Sequence, residues 1–222
     1  MITINTMKEN VAKAALEAIE DYTVIGVGTG STVNYFIKEL GKIRHRIDVC
    51  VASSKATELR LREEGLAVID LNAAGDVPIY IDGADEVTRS GLMIKGGGGA
   101  LTREKIIANV AQKFVCIVDN NKIVAQLGAF PIAVEVLPMA RSFVAREVVK
   151  LGGDPVYREG FVTDNGHIIL DVFHMNLTNP KALEDAINII PGVIENGVFA
   201  KRLADQILVA NPGGIVCYTP GE

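Results

Sequence analysis

Five ionisable side chains lie in or near the turns that follow short apolar segments, and together they could move a proton on an anionic ligand. They are Asp82, Asp85, Lys95, Glu104 and Lys122. A positioned carboxylate can remove or return a proton, and a lysine beside it can stabilise negative charge that develops on oxygen. A pair of carboxylates can alternatively bind a divalent metal ion. These residue types therefore predict acid–base chemistry or a metal site.

A glycine-rich turn at residues 26–32 (GVGTGST) follows an apolar segment and precedes a predicted helix. Glycines let the backbone approach a ligand closely, and the free N–H groups at the start of a helix favour an anion. The Ser31 and Thr32 hydroxyl groups add donors. We therefore predict a phosphate-binding turn, with a purely structural turn as the alternative.

Two nucleotide-binding motifs are disfavoured at this turn. The spacing is GxGxG and not the GxGxxG of dinucleotide-binding folds, and the next predicted strand ends in Ser53 and Ser54, where an acidic residue would bind a ribose. A P-loop requires a Lys-Ser or Lys-Thr pair after the glycines, and the sequence has none there. A nicotinamide-dependent oxidoreductase is therefore the weaker of the enzymatic interpretations.

Residues 82–86 (DGADE) directly follow the apolar segment 78–81. Open α/β sheets bind ligands at the carboxyl ends of their parallel strands, which is where this motif would lie. Asp82 and Asp85 could shuttle protons between hydroxyl groups there or hold a metal. The structural alternative is that Asp82 forms a turn and Asp85 caps a short helix.

Lys95 is followed by four glycines, residues 96–99, between a predicted strand and a predicted helix. Four glycines cost conformational entropy, so a fold seldom keeps them without needing unusual backbone angles or close contact with a ligand. The run predicts a second ligand-binding loop, with a flexible linker as the alternative.

Glu104 lies near the start of the helix predicted after this loop. At ~100° per residue, an apolar face that includes Glu104 is formed by Leu101, Ile107, Ala108 and Ala111. Burial on that face would raise the carboxyl pKa, while the helix N-terminus would lower it. Lys105 is predicted on the polar side, and an exposed Glu104 is the alternative.

Lys122 follows the apolar segment 114–118 and Asp119. It would again lie at the carboxyl end of a strand, with an ordinary exposed lysine as the alternative. The motifs together place two aspartates, two lysines and one glutamate at the same edge of one sheet.

The elements that must position these residues alternate between apolar strands and helices over the first half of the chain. Predicted strands are 23–27, 47–52, 67–71, 78–81, 92–94 and 114–118, and predicted helices are 32–40, 56–64 and 101–112, after a first helix within residues 1–21. Such apolar strands favour a largely parallel sheet covered on both faces.

From residue 131 onward the predicted order is β-α-β-β-α-β, which is that of a ferredoxin-like α+β unit. Its strands are 133–137, 154–163, 167–173 and 193–200, its helices are 142–151 and 180–190, and the Asp-Asn-Gly at 164–166 is a strong hairpin signal. Strands 206–210 and 215–219 most simply return to the first sheet. We therefore predict an α/β protein, in which a Rossmann-like catalytic domain (1–130 plus 204–222) carries an inserted ferredoxin-like domain (131–203).

Composition excludes several classes of protein. A net charge of −5 gives no general attraction to nucleic acid or to an anionic membrane. No apolar run approaches the ~20 residues that cross a bilayer. The three histidines are scattered without metal-ligand spacing, and the three cysteines lie in apolar contexts typical of buried thiols in a reducing compartment. We expect a cytoplasmic protein that does not bind nucleic acid or membranes.

The motifs as a set resemble type A ribose-5-phosphate isomerase. The resemblance covers nearly the whole chain and rests on residues 26–32, 53–54, 82–86, 95–98, 101–105, 138–141, 164–166, 170–172 and 190–192. It implies an aldose–ketose isomerase that interconverts D-ribose 5-phosphate and D-ribulose 5-phosphate through a cis-enediolate, in the non-oxidative pentose phosphate pathway. It also implies that no metal or other cofactor is needed, that the partner is a small sugar phosphate, and that the chain forms a homodimer, with a dimer of dimers as the alternative.

The same resemblance implies roles for individual residues. Glu104 corresponds to the general base, Asp82 and Asp85 to the ring-opening and hydroxyl-binding aspartates, and Lys95 to the lysine that stabilises the oxyanion. The implied substrate-binding residues are Thr29, Gly30, Ser31, Thr32, Gly83, Ala84, Gly96, Gly97, Gly98 and Lys122. The sequence departs from the family at Gly99, where many members have alanine, and at Asn120 and Asn121. A sugar-phosphate-sensing regulator without catalysis is the alternative, although the sequence has no helix-turn-helix extension or basic patch.

Overall fold

The computed structural model describes residues 3–221, and its elements largely follow the predicted alternation. The helices are α1 (Ile4–Ala18), α2 (Ser31–Lys42), α3 (Lys55–Glu63), α4 (Leu71–Ala74), α5 (Leu101–Val110), α6 (Arg141–Lys150) and α7 (Pro180–Asn188). The strands are β1 (Val24–Val27), β2 (Val49–Ala52), β3 (Ile79–Asp82), β4 (Glu86–Thr88), β5 (Met93–Ile94), β6 (Lys113–Asp119), β7 (Ile123–Val124), β8 (Ile132–Val136), β9 (Asp154–Tyr157), β10 (Ile168–Phe173), β11 (Val193–Asn196), β12 (Val198–Phe199), β13 (Gln206–Asn211) and β14 (Gly214–Tyr218).

The largest sheet has the order β14-β13-β6-β3-β1-β2 and is parallel except for its edge strand β14. Strand β13 pairs with β6, so the tail returns to the first sheet as predicted. Both faces are buried because the strands are apolar throughout: α1 and α2 cover one face and α5 the other. The predicted α/β class with a mostly parallel sheet is confirmed.

A second sheet, in the order β11-β8-β10-β9, is antiparallel throughout and packs against α6 and α7. It forms from the predicted β-α-β-β-α-β series. The predicted hairpin joins β9 to β10, but strand β9 ends early and residues 158–167 form a longer connection than Asp-Asn-Gly alone would need. This loop reaches the functional site described below.

A third sheet, in the order β12-β5-β4-β7, was not predicted. The single strand predicted at 193–200 is interrupted at Gly197, because its N–H donates to the Ala133 carbonyl of β8 while its own carbonyl accepts the Lys95 N–H beside β5. A Cβ at this position would lie 2.1 Å from the Lys95 carbonyl oxygen. The chain therefore leaves the second sheet and pairs with β5 through the short strand β12.

The strand predicted at 67–71 is wrong. Only Val68 forms an isolated bridge, to Cys50, and the chain then turns into α4 because the Asp70 side chain accepts the Asn72 N–H at 2.8 Å. Within residues 3–221, no helix has the length and apolar character needed to cross a membrane.

Candidate active site

A pocket opens at the carboxyl ends of β1 and β3, beside the first residues of α2 and α5. It is lined by Thr29, Gly30, Ser31, Thr32, Val33, Gly83, Ala84, Asp85, Lys95, Gly96, Gly98, Glu104 and Lys122. Every predicted site residue lines this pocket except Asp82 and Gly97. The structure thus brings together motifs that are as much as 93 residues apart, Thr29 to Lys122, at the point where the strand order reverses around β1.

The start of α2 lies at the pocket and presents hydrogen-bond donors. Gly30, the N-cap of α2, has a φ of +124° and makes no side-chain hydrogen bond, so it leaves the first backbone N–H groups of the helix uncapped, and Ser31 and Thr32 line the pocket. Lys8 on α1 donates from Nζ to Ser31 Oγ at 2.8 Å and brings a positive charge to the same place. The sequence pattern did not single out Lys8, because only the packing of α1 against α2 places it beside Ser31.

Thr29 is fixed beneath this turn by hydroxyl and carboxylate partners. Its Oγ1 lies 2.7 Å from Ser53 Oγ and 2.9 Å from Ser54 Oγ, and its N–H donates to Asp82 Oδ1 at 3.0 Å. Gly28 is required here, since a Cβ at that position would lie 1.9 Å from the same Asp82 oxygen. Ser53 and Ser54 therefore support the turn from below.

The Asp82 carboxylate lies below the pocket floor and is fully buried. Oδ1 accepts the N–H groups of Thr29 and Gly83, the latter at 2.7 Å. Oδ2 accepts the Tyr80 hydroxyl at 2.5 Å and pairs with Lys95 Nζ at 2.7 Å. Both oxygens are thus occupied by protein donors.

Lys95 connects the floor of the pocket to Glu104. Its Nζ donates to the Gly83 carbonyl at 2.6 Å and lies 3.2 Å from Glu104 Oε2. Burial alone would lower the lysine pKa, but the Asp82 and Glu104 carboxylates outweigh it and raise that pKa above its ordinary value. Lys95 is therefore a fixed positive charge at neutral pH.

Glu104 lies in the first turn of α5 and is only 4% exposed, so it is not the exposed glutamate of the alternative interpretation. Burial raises its pKa to about 8; Lys95 opposes this rise and the negative charge of Asp82 adds to it. Among the described residues, Oε2 has the Lys95 ion pair but no hydrogen-bond donor. A carboxylate of this kind is a much stronger base than an exposed one.

Asp85 lies in the pocket, unlike Asp82. Its Oδ2 accepts the Gly97 N–H at 2.8 Å, and the following residues form β4 and not a short helix. The structural interpretation of Asp85 as a helix cap is therefore wrong.

The glycine run is a fixed loop and not a flexible linker. The Gly99 N–H donates to the Gly96 carbonyl at 2.9 Å. Gly99 has a φ of +76°, and a Cβ there would lie 2.2 Å from the Phe161 ring, so the alanine common in the resembling family would not fit without a shift. The loop needs both the backbone angle and the close approach that glycine allows.

Lys122 is half-buried at the side of the pocket, in the turn after β6. Its carbonyl accepts the Val87 N–H at 2.8 Å, which ties this turn to β4. Its Nζ lies 5.9 Å from the centre of the Phe130 ring. Lys122 is therefore held at the pocket and is not an unconstrained surface lysine.

Lys105, predicted on the polar side of α5, is instead buried. Its Nζ pairs with Glu184 and Glu195, each at 2.9 Å. The helix wheel failed here because α7 and β11 cover a side of α5 that faces solvent in the isolated helix. The buried ion pairs hold α5, and with it Glu104, against the second sheet.

The carboxylates of Asp82 and Asp85 are largely engaged by donors from the protein itself. Within residues 3–221, no group of three or more His, Cys, Asp or Glu side chains is arranged to hold a metal ion. Asp82 has both oxygens occupied by donors, and Asp85 uses one oxygen for Gly97. The site instead combines one buried carboxylate, that of Glu104, with one buried cation, that of Lys95, and two glycine-rich loops.

The sequence matches a known family. Residues 49–214 match the family model of ribose 5-phosphate isomerase A (phosphoriboisomerase A). The chain belongs to this family. It is 69% identical over 212 residues to the ribose-5-phosphate isomerase A of Legionella pneumophila (strain Corby), which covers 96% of this chain and 98% of that protein.

Solved structures of family members share the whole fold. The ribose 5-phosphate isomerase A of Neisseria gonorrhoeae superposes with a TM-score of 0.97 at 42% identity over 100% of both chains. A D-ribose-5-phosphate isomerase in complex with phospho-erythronic acid superposes with a TM-score of 0.93 at 38% identity, over 98% of this chain and 99% of that one.

The family membership confirms the predicted aldose–ketose isomerase, which interconverts D-ribose 5-phosphate and D-ribulose 5-phosphate in the pentose phosphate pathway. The alternative of a non-catalytic sugar-phosphate sensor finds no support in the family relationships.

Proposed function

We propose that Glu104 carries out this isomerisation by moving a proton between C2 and C1 of the open-chain sugar, through a cis-enediolate. The observation that supports it most directly is the buried Glu104 carboxylate, whose pKa is raised to about 8 and which lies 3.2 Å from Lys95 Nζ. A base whose pKa lies near the operating pH combines strength with a useful fraction in the ionised form.

The phosphate group of the substrate is proposed to bind at the start of α2. Ser31 and Thr32 supply hydroxyl and backbone donors, and Lys122 and Lys8 supply positive charge. A phosphate there would accept charge-assisted hydrogen bonds and interact favourably with the helix dipole. The sugar carbons would then extend toward Glu104.

Ring opening is proposed to use Asp85. The cyclic sugar must lose a proton from O1 and gain one on the ring oxygen, and Asp85 lines the pocket while Asp82 does not. Asp82, with both oxygens occupied below the floor, would act through Lys95, whose ammonium group it holds in place.

In the isomerisation step, Glu104 removes the C2 proton and the electron pair of that bond passes through C1 to O1. O2 then loses its proton and becomes the C2 carbonyl oxygen, the C1=C2 electron pair takes the proton from Glu104 at C1, and O1 gains a proton that balances the one lost from O2. C1 and C2 are adjacent, so one carboxylate can reach both the proton on C2 and the face of C1 that receives it, and no second base is needed. Lys95 and the N–H groups of the glycine-rich loop would stabilise the oxyanion.

Isomerisation in D2O tests this mechanism. A proton held on Glu104 can exchange with solvent, so deuterium is expected at C1 of the ribulose 5-phosphate formed from unlabelled ribose 5-phosphate. Complete transfer of the original C2 hydrogen, with no solvent deuterium incorporated, would instead indicate a hydride shift and contradict the proposal.

Phospho-erythronic acid offers a second test, since a family member has been solved with it. Its planar, negatively charged carboxylate resembles the planar enediolate, which also carries negative charge on oxygen. We expect competitive inhibition by phospho-erythronic acid and at least tenfold weaker inhibition by erythronic acid, which lacks the phosphate. Equal inhibition by the two would contradict a phosphate site at α2.

We further propose that the chain forms a homodimer. Phe143, Leu151 and Ile189 are exposed apolar residues that line one groove between α6 and α7, and such patches are often interaction surfaces. Sedimentation analysis should give a dimer for the wild type and a monomer for Ile189→Asp. A wild-type monomer would contradict the proposal, and a dimeric variant would move the interface elsewhere.

A cytoplasmic location is proposed from the thiols. Cys50 and Cys116 are buried and unpaired, and burial raises the pKa of each to about 12. Unpaired cysteines are typical of reducing compartments. Fractionation of cells that produce the chain, with detection by an antibody, should find it with cytosolic markers, and enrichment with secreted proteins would contradict this.

A further inference from the structure

Arg158 comes from the loop between β9 and β10 and reaches the glycine-rich loop of the pocket. Its guanidinium pairs with both Asp171 oxygens, Nε to Oδ2 at 2.8 Å and Nη2 to Oδ1 at 2.5 Å. The remaining donors contact backbone carbonyls: Nη1 and Nη2 each lie 3.2 Å from the Gly96 oxygen, and Nη1 lies 3.3 Å from the Gly97 oxygen. Arg158 therefore holds two consecutive peptide groups of the loop.

A trans peptide is planar, so its carbonyl and its N–H point in opposite directions. The Gly96 carbonyl points to Arg158, and the N–H of the same peptide, on Gly97, points away and donates to Asp85 at 2.8 Å. The next peptide has its Gly97 carbonyl toward Arg158 as well. Its N–H, on Gly98, therefore points to the opposite side, and Gly98 lines the pocket.

The glycine-rich loop needs such an external restraint. Glycines have no side chains to lock the backbone, so peptide groups between them can rotate at little steric cost. Arg158 holds the carbonyl side and Asp85 holds the N–H side. Phe161 adds a cover: its ring packs against Gly99 and lies 5.3 Å from the Arg158 guanidinium carbon.

We propose that Arg158 is a positioning residue for the isomerisation, which fixes the peptide between Gly97 and Gly98 so that the Gly98 N–H can donate to the enediolate oxygen. This inference rests on the proposed function of the pocket. It gives the second sheet a part in catalysis, because Arg158, which directly follows β9 of that sheet, orients the Gly98 N–H at the pocket.

The effect should fall on kcat and not on substrate binding. Oxyanion donors stabilise the transition state more than the ground state, and the loss of one such donor typically costs about 10²–10³ in rate. A donor that is present but misoriented should lower kcat by less than its complete loss would, by at least about tenfold. The phosphate end is held by other residues, so KM and the inhibition constant of inorganic phosphate should change less than about threefold.

Arg158→Lys is the first variant to measure, because it keeps the charge but cannot bind two carbonyls and a carboxylate at once. Arg202→Lys is the matched control. Arg202 is also largely buried, also pairs with an aspartate, Asp205 at 2.7 Å, and also holds a backbone carbonyl, that of Ala108 at 2.8 Å. Both variants should lower Tm, but only Arg158→Lys should lower kcat tenfold or more.

A second variant adds a chemical test. In Arg158→Ala, added guanidinium can occupy the vacated place and should restore part of kcat, at concentrations that leave the wild type and the Arg202 variant unaffected. A kcat within fivefold of wild type in the folded Arg158 variants would overturn the proposal. So would a loss of phosphate affinity as large as the loss of kcat. Turnover of ribose 5-phosphate by the wild type, measured in the same assay, tests the proposed function separately.

Discussion

Lys95 Nζ lies 2.7 Å from Asp82 Oδ2, and both side chains are buried. The Asp82 carboxylate thus lies behind the lysine. Burial is the main cause of the raised Glu104 pKa, Lys95 lowers that pKa, and the negative charge of Asp82 helps to raise it. The two aspartates of residues 82–86 thus have different positions. Asp82 is buried behind the pocket, next to Lys95, whereas Asp85 lines the pocket itself.

Replacing Asp82 with Asn removes this negative charge, so the pKa of Glu104 should fall. The wild-type rate should rise with pH as Glu104 ionises, with a midpoint near the pKa of about 8. In Asp82→Asn the midpoint should move to lower pH, and kcat should drop because Lys95 loses its counter-ion. The pH dependence of kcat for both proteins checks this. A midpoint that stays in place would show that Asp82 does not influence the base.

Glu104→Gln keeps the size of the side chain but cannot accept the C2 proton. Positioned acid–base groups typically contribute ~10²–10⁴-fold, so kcat should fall by at least about 10², with little change in KM. Glu39→Gln, a largely buried glutamate on α2, is the matched control and should keep near-normal turnover. A loss below about tenfold for Glu104→Gln would transfer the role of base to Asp85.

The same variant should change how stability depends on pH. Glu104 has an ordinary pKa of 4.5 when unfolded and about 8 when folded, so the folded state keeps a proton that the unfolded state releases between these values. Wild-type stability should therefore fall as the pH rises through this window, and Glu104→Gln should lack that loss.

Urea unfolding at pH 5 and pH 9 measures the effect. The stability of Glu104→Gln relative to wild type should increase between these pH values by at least about 1.4 kcal/mol, the equivalent of one pKa unit. An unchanged difference would mean that Glu104 titrates as an ordinary carboxyl group.

Lys122→Ala should mainly weaken substrate binding. A charge on the phosphate acts in the ground state and the transition state alike, so KM should rise more than kcat falls. Lys150→Ala, an exposed lysine on α6 that pairs with Glu147, is the control and should leave both constants unchanged. An unchanged KM in Lys122→Ala would place the phosphate elsewhere.

Activity should not depend on a metal ion, because the chemistry is assigned to Glu104 and Lys95. Dialysis against EDTA followed by assay with ribose 5-phosphate should give full turnover. Lost activity that returns with Mg²⁺, Mn²⁺ or Zn²⁺ would contradict this prediction.

Local sequence patterns were sufficient for the main features of the site. The glycine-rich turns at 26–32 and 96–99 follow apolar strands, and parallel strands bring such turns to one edge of a sheet. The apolar face of α5 indicated that Glu104 is buried, since side chains 3 or 4 positions apart share a helix face. These inferences depend only on neighbours along the chain, which the sequence contains directly.

Only the tertiary structure decided which side chains line the pocket and which lie behind it. Asp82 and Asp85 are three positions apart in one motif, yet the first is covered by Tyr80 and Lys95 while the second lines the pocket. Lys8 and Arg158 reach the site from distant segments, and Lys105 is buried by α7 and β11. Such contacts arise from packing between elements far apart in the chain, and the periodicity of a single helix or strand carries no information about its partners.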